Sequence, residues 1–199
     1  MIDYFALLHQ PRRPWLDPAV LKEQFLALSK EVHPDKFHNS PAADKAVAQE
    51  RYAELTTAFN CLRSPKARLL HLIELETGSR PQTVDEVPPA ITEFFMEVMH
   101  TMRETDAFLR QWSAVSGLVK AQMFAQAQEW VEKLQATMAR INAEITRLDA
   151  ELIELTDHWA KEPNATAKFQ PRLVDLYRLF SFYSRWAAQI QDRLTRLAV

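Results

Sequence analysis

The chain of 199 residues is poor in the residues that break helices or cross-link a fold. Only two glycines occur, Gly78 and Gly117, and Cys61 is the single cysteine. One cysteine cannot form an internal disulfide, nor can it supply a four-thiolate metal or iron–sulfur site within one chain. Because glycine is scarce and apolar residues recur every three or four positions over long segments, the sequence predicts an all-α protein.

Strong charge and long apolar runs are also missing. The formal net charge is −2 and the sequence pI is about 6.3, so no global basic field is present to attract nucleic acid or an anionic membrane. No apolar run approaches the roughly 18 residues of a membrane span, and the N-terminus lacks the basic start and apolar core of a signal peptide. We therefore expect a cytoplasmic protein with no nucleic-acid or membrane partner.

The features that would indicate an enzyme are absent or scattered. The sequence has no glycine-rich phosphate loop, and its six histidines include no pair at metal-ligand spacing. Five of them are interpreted as surface or hydrogen-bonded residues, namely His9, His38, His71, His100 and His158. The sequence thus predicts neither an enzyme nor a protein with a resident metal or cofactor.

Two amphipathic segments near the N-terminus predict a helical hairpin. The first begins at Asp17-Pro18, an N-cap followed by proline at the first helical position, and it ends before Pro34. The second begins near Ser40-Pro41. Each segment has one apolar face, formed by Leu21, Phe25, Leu28 and Val32 in the first and by Ala48, Tyr52, Leu55, Phe59 and Leu62 in the second. If these faces meet, the two helices form an antiparallel hairpin.

Shorter helices are predicted on both sides of the hairpin. One spans residues 3–8, and another follows the cap at Ser64-Pro65 and ends where Gly78 suits a left-handed backbone conformation. Residues 77–89 contain three prolines and a glycine, which is typical of a linker. We therefore expect an N-terminal domain over residues 1–76 and a C-terminal domain over residues 90–199.

The C-terminal region shows a heptad-like pattern in three segments. A predicted break over residues 160–171 separates the second segment from the third. The apolar positions are Ile91, Phe95, Val98, Met102 and Leu109, then ten from Ala127 to Trp159, then Leu173, Leu176, Phe180, Tyr183, Ala187, Ile190, Leu194 and Leu197. The middle helix could run about 40 residues, or roughly 60 Å. Three such segments predict an antiparallel three-helix bundle, although the same pattern would also serve a dimer.

The tripeptide His33-Pro34-Asp35 lies in the connection of the predicted hairpin. Proline fixes one backbone dihedral, so its neighbours are held stiffly and lose little entropy when a partner docks. His33 can donate and accept a hydrogen bond, and the Asp35 carboxylate can accept a charge-assisted bond from a partner's arginine or backbone amide. The loop is therefore a candidate binding site.

A short basic stripe leads to this tripeptide. Lys22, Leu26 and Lys30 follow one another at intervals of four, so they share one helix face, and Lys36 follows the tripeptide directly. The alternative interpretation is a polar turn beside a solvated helix face, since lysine is common on exposed helices. The position of the tripeptide between two amphipathic helices favours binding.

Residues 1–76 resemble a J-domain, the module that stimulates ATP hydrolysis by heat-shock chaperones of the seventy-kilodalton class. The resemblance rests on His33-Pro34-Asp35 within the hairpin, on Tyr4-Phe5 in the first helix, on Lys36-Phe37 and on Ala58-Phe59-Asn60-Cys61-Leu62. It implies that a DnaK-like chaperone contacts the loop and the preceding helix, through His33, Pro34, Asp35, Lys36, Lys22, Leu26 and Lys30.

Further segments resemble the HscB family of iron–sulfur co-chaperones. They are Leu62-Arg63-Ser64-Pro65 with Arg68, then Pro89 and Phe94-Phe95-Met96-Glu97 with Met99, and finally Leu176-Tyr177-Arg178-Leu179-Phe180-Ser181-Phe182. This resemblance implies an HscA-type chaperone as one partner and an iron–sulfur cluster scaffold protein as the other, the latter held by Phe95, Met96 and Met99. Methionine adapts its shape to a partner, which suits such a surface. Phe95 also lies on the apolar stripe, so a role in the bundle core is the alternative.

Two departures from the family pattern affect the scaffold contact. His100 stands where an acidic residue is usual, and Arg103-Glu104 follows Met96 one position later than expected, which rotates the pair by about 100° around the helix. Two alternative functions therefore stay open. The chain could be a J-domain co-chaperone for a different client, or a helical scaffold or adaptor protein, although the latter leaves the tripeptide without a role.

Overall fold

The structure is a computed structural model that describes residues 1–37, 40–81, 87–162 and 164–198. Within these ranges the chain is all-α, as predicted, and no residue lies in a β-strand. The helices are α1 (Tyr4–Leu7), α2 (Pro18–Glu31), α3 (Ala42–Arg63), α4 (Pro65–Thr77), α5 (Thr92–Ala114), α6 (Gly117–Trp159) and α7 (Ala165–Leu197), with 3-10 turns at Pro34–Phe37 and Pro89–Ile91. None of these helices is apolar over a stretch long enough to cross a membrane.

The chain folds into two compact units. Unit 1 consists of Met1–Gln82 and Asp149–Tyr177, and unit 2 consists of Thr83–Leu148 and Arg178–Val199. Unit 1 thus contains α1 to α4 together with the end of α6 and the start of α7. The division into domains at 1–76 and 90–199 was drawn from the order of segments along the chain, and it stays a prediction. Part of the predicted linker, residues 82–86, lies outside the described residues.

The predicted hairpin of unit 1 is formed by α2 and α3. The Asp17 carboxylate accepts hydrogen bonds from the backbone amides of Ala19 and Val20, and this N-cap starts α2 at the predicted residue. Between the two helices, the rings of Phe25 and Phe59 stack with their centroids 4.3 Å apart. The apolar faces therefore meet as their spacing predicts.

Gly78 ends α4 in the predicted left-handed conformation. Its φ is 72°, and its amide donates to the carbonyl of Glu74 at 2.9 Å. A side chain with a Cβ disfavours this conformation, which explains why glycine is found here. At the other end of α4, the Ser64 hydroxyl accepts a hydrogen bond from the amide of Ala67, as predicted for an N-cap.

Unit 2 contains α5 and most of α6, which run antiparallel. Glu97 on α5 pairs with Arg140 on α6, and further along α5 the ring of Phe108 lies 6.4 Å from that of Trp130. Residue numbers thus rise along one helix as they fall along the other. The spacing of apolar residues predicted this pairing of faces.

Helix α7 completes the bundle in the same direction as α5. Phe94 near the start of α5 contacts Trp186, and Asp106 further along pairs with Arg193 at 2.6 Å. Tyr183 and Trp186, at 1% and 2% exposure, are large side chains at its centre. The middle helix is therefore antiparallel to both neighbours, in agreement with the predicted antiparallel three-helix bundle.

The predicted break over residues 160–171 is too long. Helix α7 begins at Ala165, and Pro171 lies inside it rather than before it. Proline removes one amide donor from the helix, which leaves the carbonyl of Ala167 without its usual partner. Because Ala167 and Pro171 are both exposed, water can satisfy that carbonyl and the helix continues.

Candidate functional site

The tripeptide forms a tight turn at the end of α2. The amide of Lys36 donates to the carbonyl of His33 at 3.0 Å, and the amide of Asp35 donates to Nδ1 of the same imidazole at 3.3 Å. The Asp35 side chain is 90% exposed, with Oδ2 3.5 Å from that nitrogen. The turn is thus held by its own backbone and by His33, while the carboxylate points into solvent.

His33 is half-buried against α3. Its ring lies 5.5 Å from that of Tyr52 in an edge-to-face arrangement, with 81° between the planes. Because Nδ1 accepts the amide of Asp35, Nε2 carries the proton when the ring is neutral and can act as a donor. Tyr52 entered the sequence analysis only as a member of an apolar stripe, and its contact with the tripeptide depends on how α3 packs beside the loop.

The basic stripe on α2 lies on the surface. Lys22, Leu26 and Lys30 are all exposed, and Leu26 keeps 55% of its surface accessible. Lys36 is exposed in the turn. The structure therefore places a leucine between two lysines on an accessible face of the helix that leads to the tripeptide. Such a face can pair with a partner that offers carboxylates around an apolar contact.

A buried arginine fixes the segment that precedes α2, and the sequence analysis missed this role. The Arg68 guanidinium donates to the carbonyls of Pro14 at 2.8 Å and Leu62 at 2.7 Å. Burial lowers the pKa of Arg68 to about 10, and the negative charge of Asp149 opposes that shift. The segment before α2 has an irregular backbone, so the carbonyl of Pro14 has no hydrogen-bond donor from a helix. The side chain of Arg68 supplies that donor.

A second contact holds the same segment from α6. The amide of Trp15 donates to the Thr156 hydroxyl at 2.9 Å, and this hydroxyl donates to the carbonyl of Leu152 at 2.8 Å. Trp15, Leu152 and Thr156 all belong to unit 1. No local pattern indicated this, because the two partners are 141 positions apart along the chain.

His71 is buried and joins α4 to α1. Its Nε2 accepts the amide of Tyr4 at 3.1 Å, and its ring stacks on that of Tyr4 at 4.5 Å. Burial lowers the pKa of His71, although the nearby carboxylates of Asp3 and Glu74 oppose the shift. The imidazole therefore acts as a neutral acceptor inside unit 1, in line with its interpretation as a hydrogen-bonded residue.

The predicted scaffold-binding residues are exposed to different extents on α5. Met96 is 62% exposed and Met99 is half-buried. Phe95 is also half-buried, with its ring 5.9 Å from that of Trp186, so it contributes both to the bundle and to the surface. His100, on the same side of α5 as Met96, is exposed. Among the described residues, no group of three or more His, Cys, Asp or Glu side chains could hold a metal ion.

Comparisons with known proteins identify the family. No family model matches the chain. The co-chaperone protein HscB homolog of Haemophilus influenzae is 26% identical over 175 residues, which cover 78% of this chain and 99% of that protein. The homolog of Haemophilus ducreyi is 30% identical over 140 residues, which cover 69% of this chain and 79% of that protein.

A solved structure has the same fold. Chaperone HscB from Vibrio cholerae aligns with a TM-score of 0.55 at 22% identity, over 96% of both chains. This agreement confirms the fold, and the 30% identity to the Haemophilus ducreyi protein over most of its length shows that the chain belongs to the HscB family of co-chaperones.

Proposed function

We propose that this co-chaperone stimulates ATP hydrolysis by a DnaK-like, HscA-type chaperone through His33, Pro34 and Asp35. The observation that carries the proposal is the exposed carboxylate of Asp35 in a turn braced by the His33 ring. A charged group held in this way can meet a partner's arginine without a large loss of entropy. The ATP chemistry belongs to the chaperone, and the turn acts on it by binding.

The exposed face of α2 extends this contact. Lys22 and Lys30 offer charge to an acidic partner surface, and Leu26 offers an apolar contact between them. Charge pairs at the edge of an interface chiefly raise the association rate, and the buried apolar contact slows dissociation. We therefore propose that Leu26 contributes to affinity, whereas Lys22, Lys30 and Lys36 contribute to the association rate.

The test is a single-turnover ATPase assay with the purified DnaK-like chaperone of the same organism. We expect His33→Gln and Asp35→Asn to abolish stimulation while leaving the helical circular dichroism unchanged. His158→Gln and Asp157→Asn make the same chemical changes at exposed positions of α6 and serve as matched controls. Undiminished stimulation by the His33 and Asp35 variants would contradict the proposal.

We further propose that α5 binds an iron–sulfur cluster scaffold protein through Phe95, Met96 and Met99. The exposed Met96 supports this proposal, because a large thioether in solvent is available to a partner. Phe95 supports it in part, since its packing on Trp186 leaves some of the ring at the surface. The chain would then deliver the scaffold to the chaperone.

Calorimetry with the purified scaffold protein tests this second step. If Met96 is a hot-spot residue of the interface, Met96→Ala should weaken binding by at least about tenfold, because truncating a hot spot costs about 2 kcal/mol or more and about 1.4 kcal/mol corresponds to tenfold. Phe124→Ala is the matched control, because Phe124 is 65% exposed in the same unit but lies on α6. Absence of binding by the wild-type chain would favour a J-domain co-chaperone for a different client.

A further inference from the structure

Three side chains with soft donor atoms share one face of α5. Met96, Met99 and His100 stand at positions i, i+3 and i+4 of a continuous helix, so their Cβ atoms lie on adjacent turns of the same side. Met96 and His100 are exposed and Met99 is half-buried. Two thioethers and one imidazole are therefore accessible on one small patch of surface.

Helix geometry lets these donor atoms converge. Side chains on a helix lean toward its N-terminus, which directs Met99 and His100 back over the turn that carries Met96. A methionine side chain has three rotatable bonds, so the sulfur of Met96 can swing to meet them. The same i, i+4 spacing lets two histidines of one helix chelate a single metal ion in other proteins.

The chemistry of the donors selects the ion. Thioether sulfur is a soft ligand that favours Cu(I), whereas hard cations such as Ca²⁺ and Mg²⁺ require oxygen ligands. Two exposed carboxylates flank the patch on this side of the helix, Glu93 one turn before Met96 and Glu104 one turn beyond His100, while Glu97 is paired with Arg140. We propose that Met96, Met99 and His100 form a binding site for Cu(I) on the exposed face of α5.

The other methionines lack this arrangement. Met1, and Met123 and Met138 on α6, have no second methionine or histidine three or four positions away, and Met102 is buried. Cys61, the remaining soft donor, is half-buried in unit 1, and burial raises the pKa of its thiol to about 11. These residues supply internal controls, and replacing Cys61 by serine removes the thiol from the measurement.

The Cu(I) site shares two residues with the proposed scaffold contact. An ion held there would cover Met96 and Met99, which the proposed function assigns to the scaffold contact, so metal and scaffold would compete. The test nevertheless uses the co-chaperone alone, and its outcome does not depend on whether the scaffold binds.

The first measurement follows the six methionine methyl groups by NMR in the full-length Cys61→Ser variant. Ag(I) serves as a redox-inert substitute for Cu(I), and anaerobic Cu(I) is added in a parallel titration. We expect the methyl resonances of Met96 and Met99 and the ring resonances of His100 to shift together and to saturate at one ion per chain. Zn²⁺ at the same concentration should leave both methyl groups unshifted.

The second measurement is competition with a chromophoric Cu(I) chelator. Loss of an outer-shell partner of a bound metal costs about 10–100-fold in affinity, so Met96→Leu, Met99→Leu and His100→Gln should each weaken binding by at least about tenfold. Met123→Leu and His158→Gln should leave it unchanged. The proposal is overturned if all exposed methionines shift in parallel, or if the three α5 variants retain wild-type affinity.

Discussion

The two units bury different kinds of side chain. In the described part of the chain, unit 1 buries the polar residues Ser29, Arg68, His71 and Thr156, whereas unit 2 buries only Thr105. Arg68 and Thr156 bond to the irregular segment before α2, and His71 bonds to the first amide of α1. Three of the four buried polar residues of unit 1 thus bond to backbone that helices do not satisfy, whereas the Ser29 hydroxyl has no partner among the described residues.

Unit 2 has long helices whose amides and carbonyls bond within the helix, so its core can be apolar and aromatic. Trp186 lies against four aromatic rings, those of Phe94, Phe95, Phe182 and Tyr183. Burial raises the pKa of Tyr183 to about 12, with a smaller effect from Glu144. The comparison predicts that the stability of unit 2 depends on how completely its core is filled. The stability of unit 1 should depend on the geometry of its buried hydrogen bonds.

The largest effect is expected in the core of unit 2. Trp186 is 2% exposed, and Trp186→Ala should lower the free energy of unfolding by about 3–5 kcal/mol in urea denaturation. Trp186→Leu should lose less, because leucine refills part of the volume. Equal losses for the two variants would break the comparison, since volume would then not be the deciding quantity.

Arg68 tests the opposite dependence in unit 1. Arg68→Met keeps much of the side-chain volume but leaves the carbonyls of Pro14 and Leu62 without a donor. The substitution should lower the free energy of unfolding by about 2–4 kcal/mol. Arg68→Lys should cost nearly as much, because an ammonium cannot reproduce two bonds of a planar guanidinium. Arg110→Met, at an exposed position of α5, is the control for lost charge. Full rescue by lysine in urea denaturation would show that charge alone matters at this position.

A smaller, pH-dependent effect is expected from His71. Its folded-state pKa is below the ordinary value of 6.5, so the unfolded chain takes up a proton first as the pH falls. Stability from this group is therefore full above about pH 6.5 and declines below it, by at most about 1.4 kcal/mol per pH unit. His71→Phe keeps the stacked ring and removes the titration, so the slope of unfolding free energy against pH between 5 and 6.5 should become shallower.

The other histidines are present in both proteins, so the difference in slope isolates His71. Identical slopes for the wild-type chain and His71→Phe would show that this imidazole titrates as it does in the unfolded chain. Burial of the His71 imidazole would then not make the stability of unit 1 depend on pH.

The smallest effects come from one glycine in each unit, and they are expected to have opposite signs. Gly78→Ala adds a Cβ to a residue with a φ of 72° and should lower the free energy of unfolding by about 1–2 kcal/mol. Gly117→Ala, at the first residue of α6, should stabilise by about 0.5 kcal/mol or less. An added Cβ meets no atom within 4 Å at either position, so thermal unfolding would report backbone conformation alone. A shift of the same sign in both variants would contradict this account.

Features that depend on neighbouring residues were predictable. The cap at Asp17, the left-handed glycine after α4 and the stripes of α2 and α3 all follow from short spacings, because the atoms that interact are a few residues apart. The exposed position of Leu26 between two lysines also follows from helical spacing. The start of α7 was placed too late, because the predicted break over residues 160–171 includes the first turns of a helix that begins at Ala165.

Features that join distant segments were not predictable. Tyr52 braces His33, Arg68 bonds to Pro14, and Thr156 bonds to Trp15, yet none of these pairs has a signature in the sequence. Tyr52, Arg68 and Thr156 lie in α3, α4 and α6, and only the packing of these helices brings them close to their partners. For the same reason, the assignment of residues 149–177 to unit 1 could not be anticipated from a repeat that continues unchanged along α6.

The sequence by itself determined the helices, their apolar faces and the turn that carries His33 and Asp35, because spacing, caps and proline act over one or two turns of backbone. Only the tertiary structure decided which polar groups are buried and what holds the segment before α2. A buried donor needs an acceptor within about 3 Å, and segments far apart in the chain reach that distance only when the whole unit has folded.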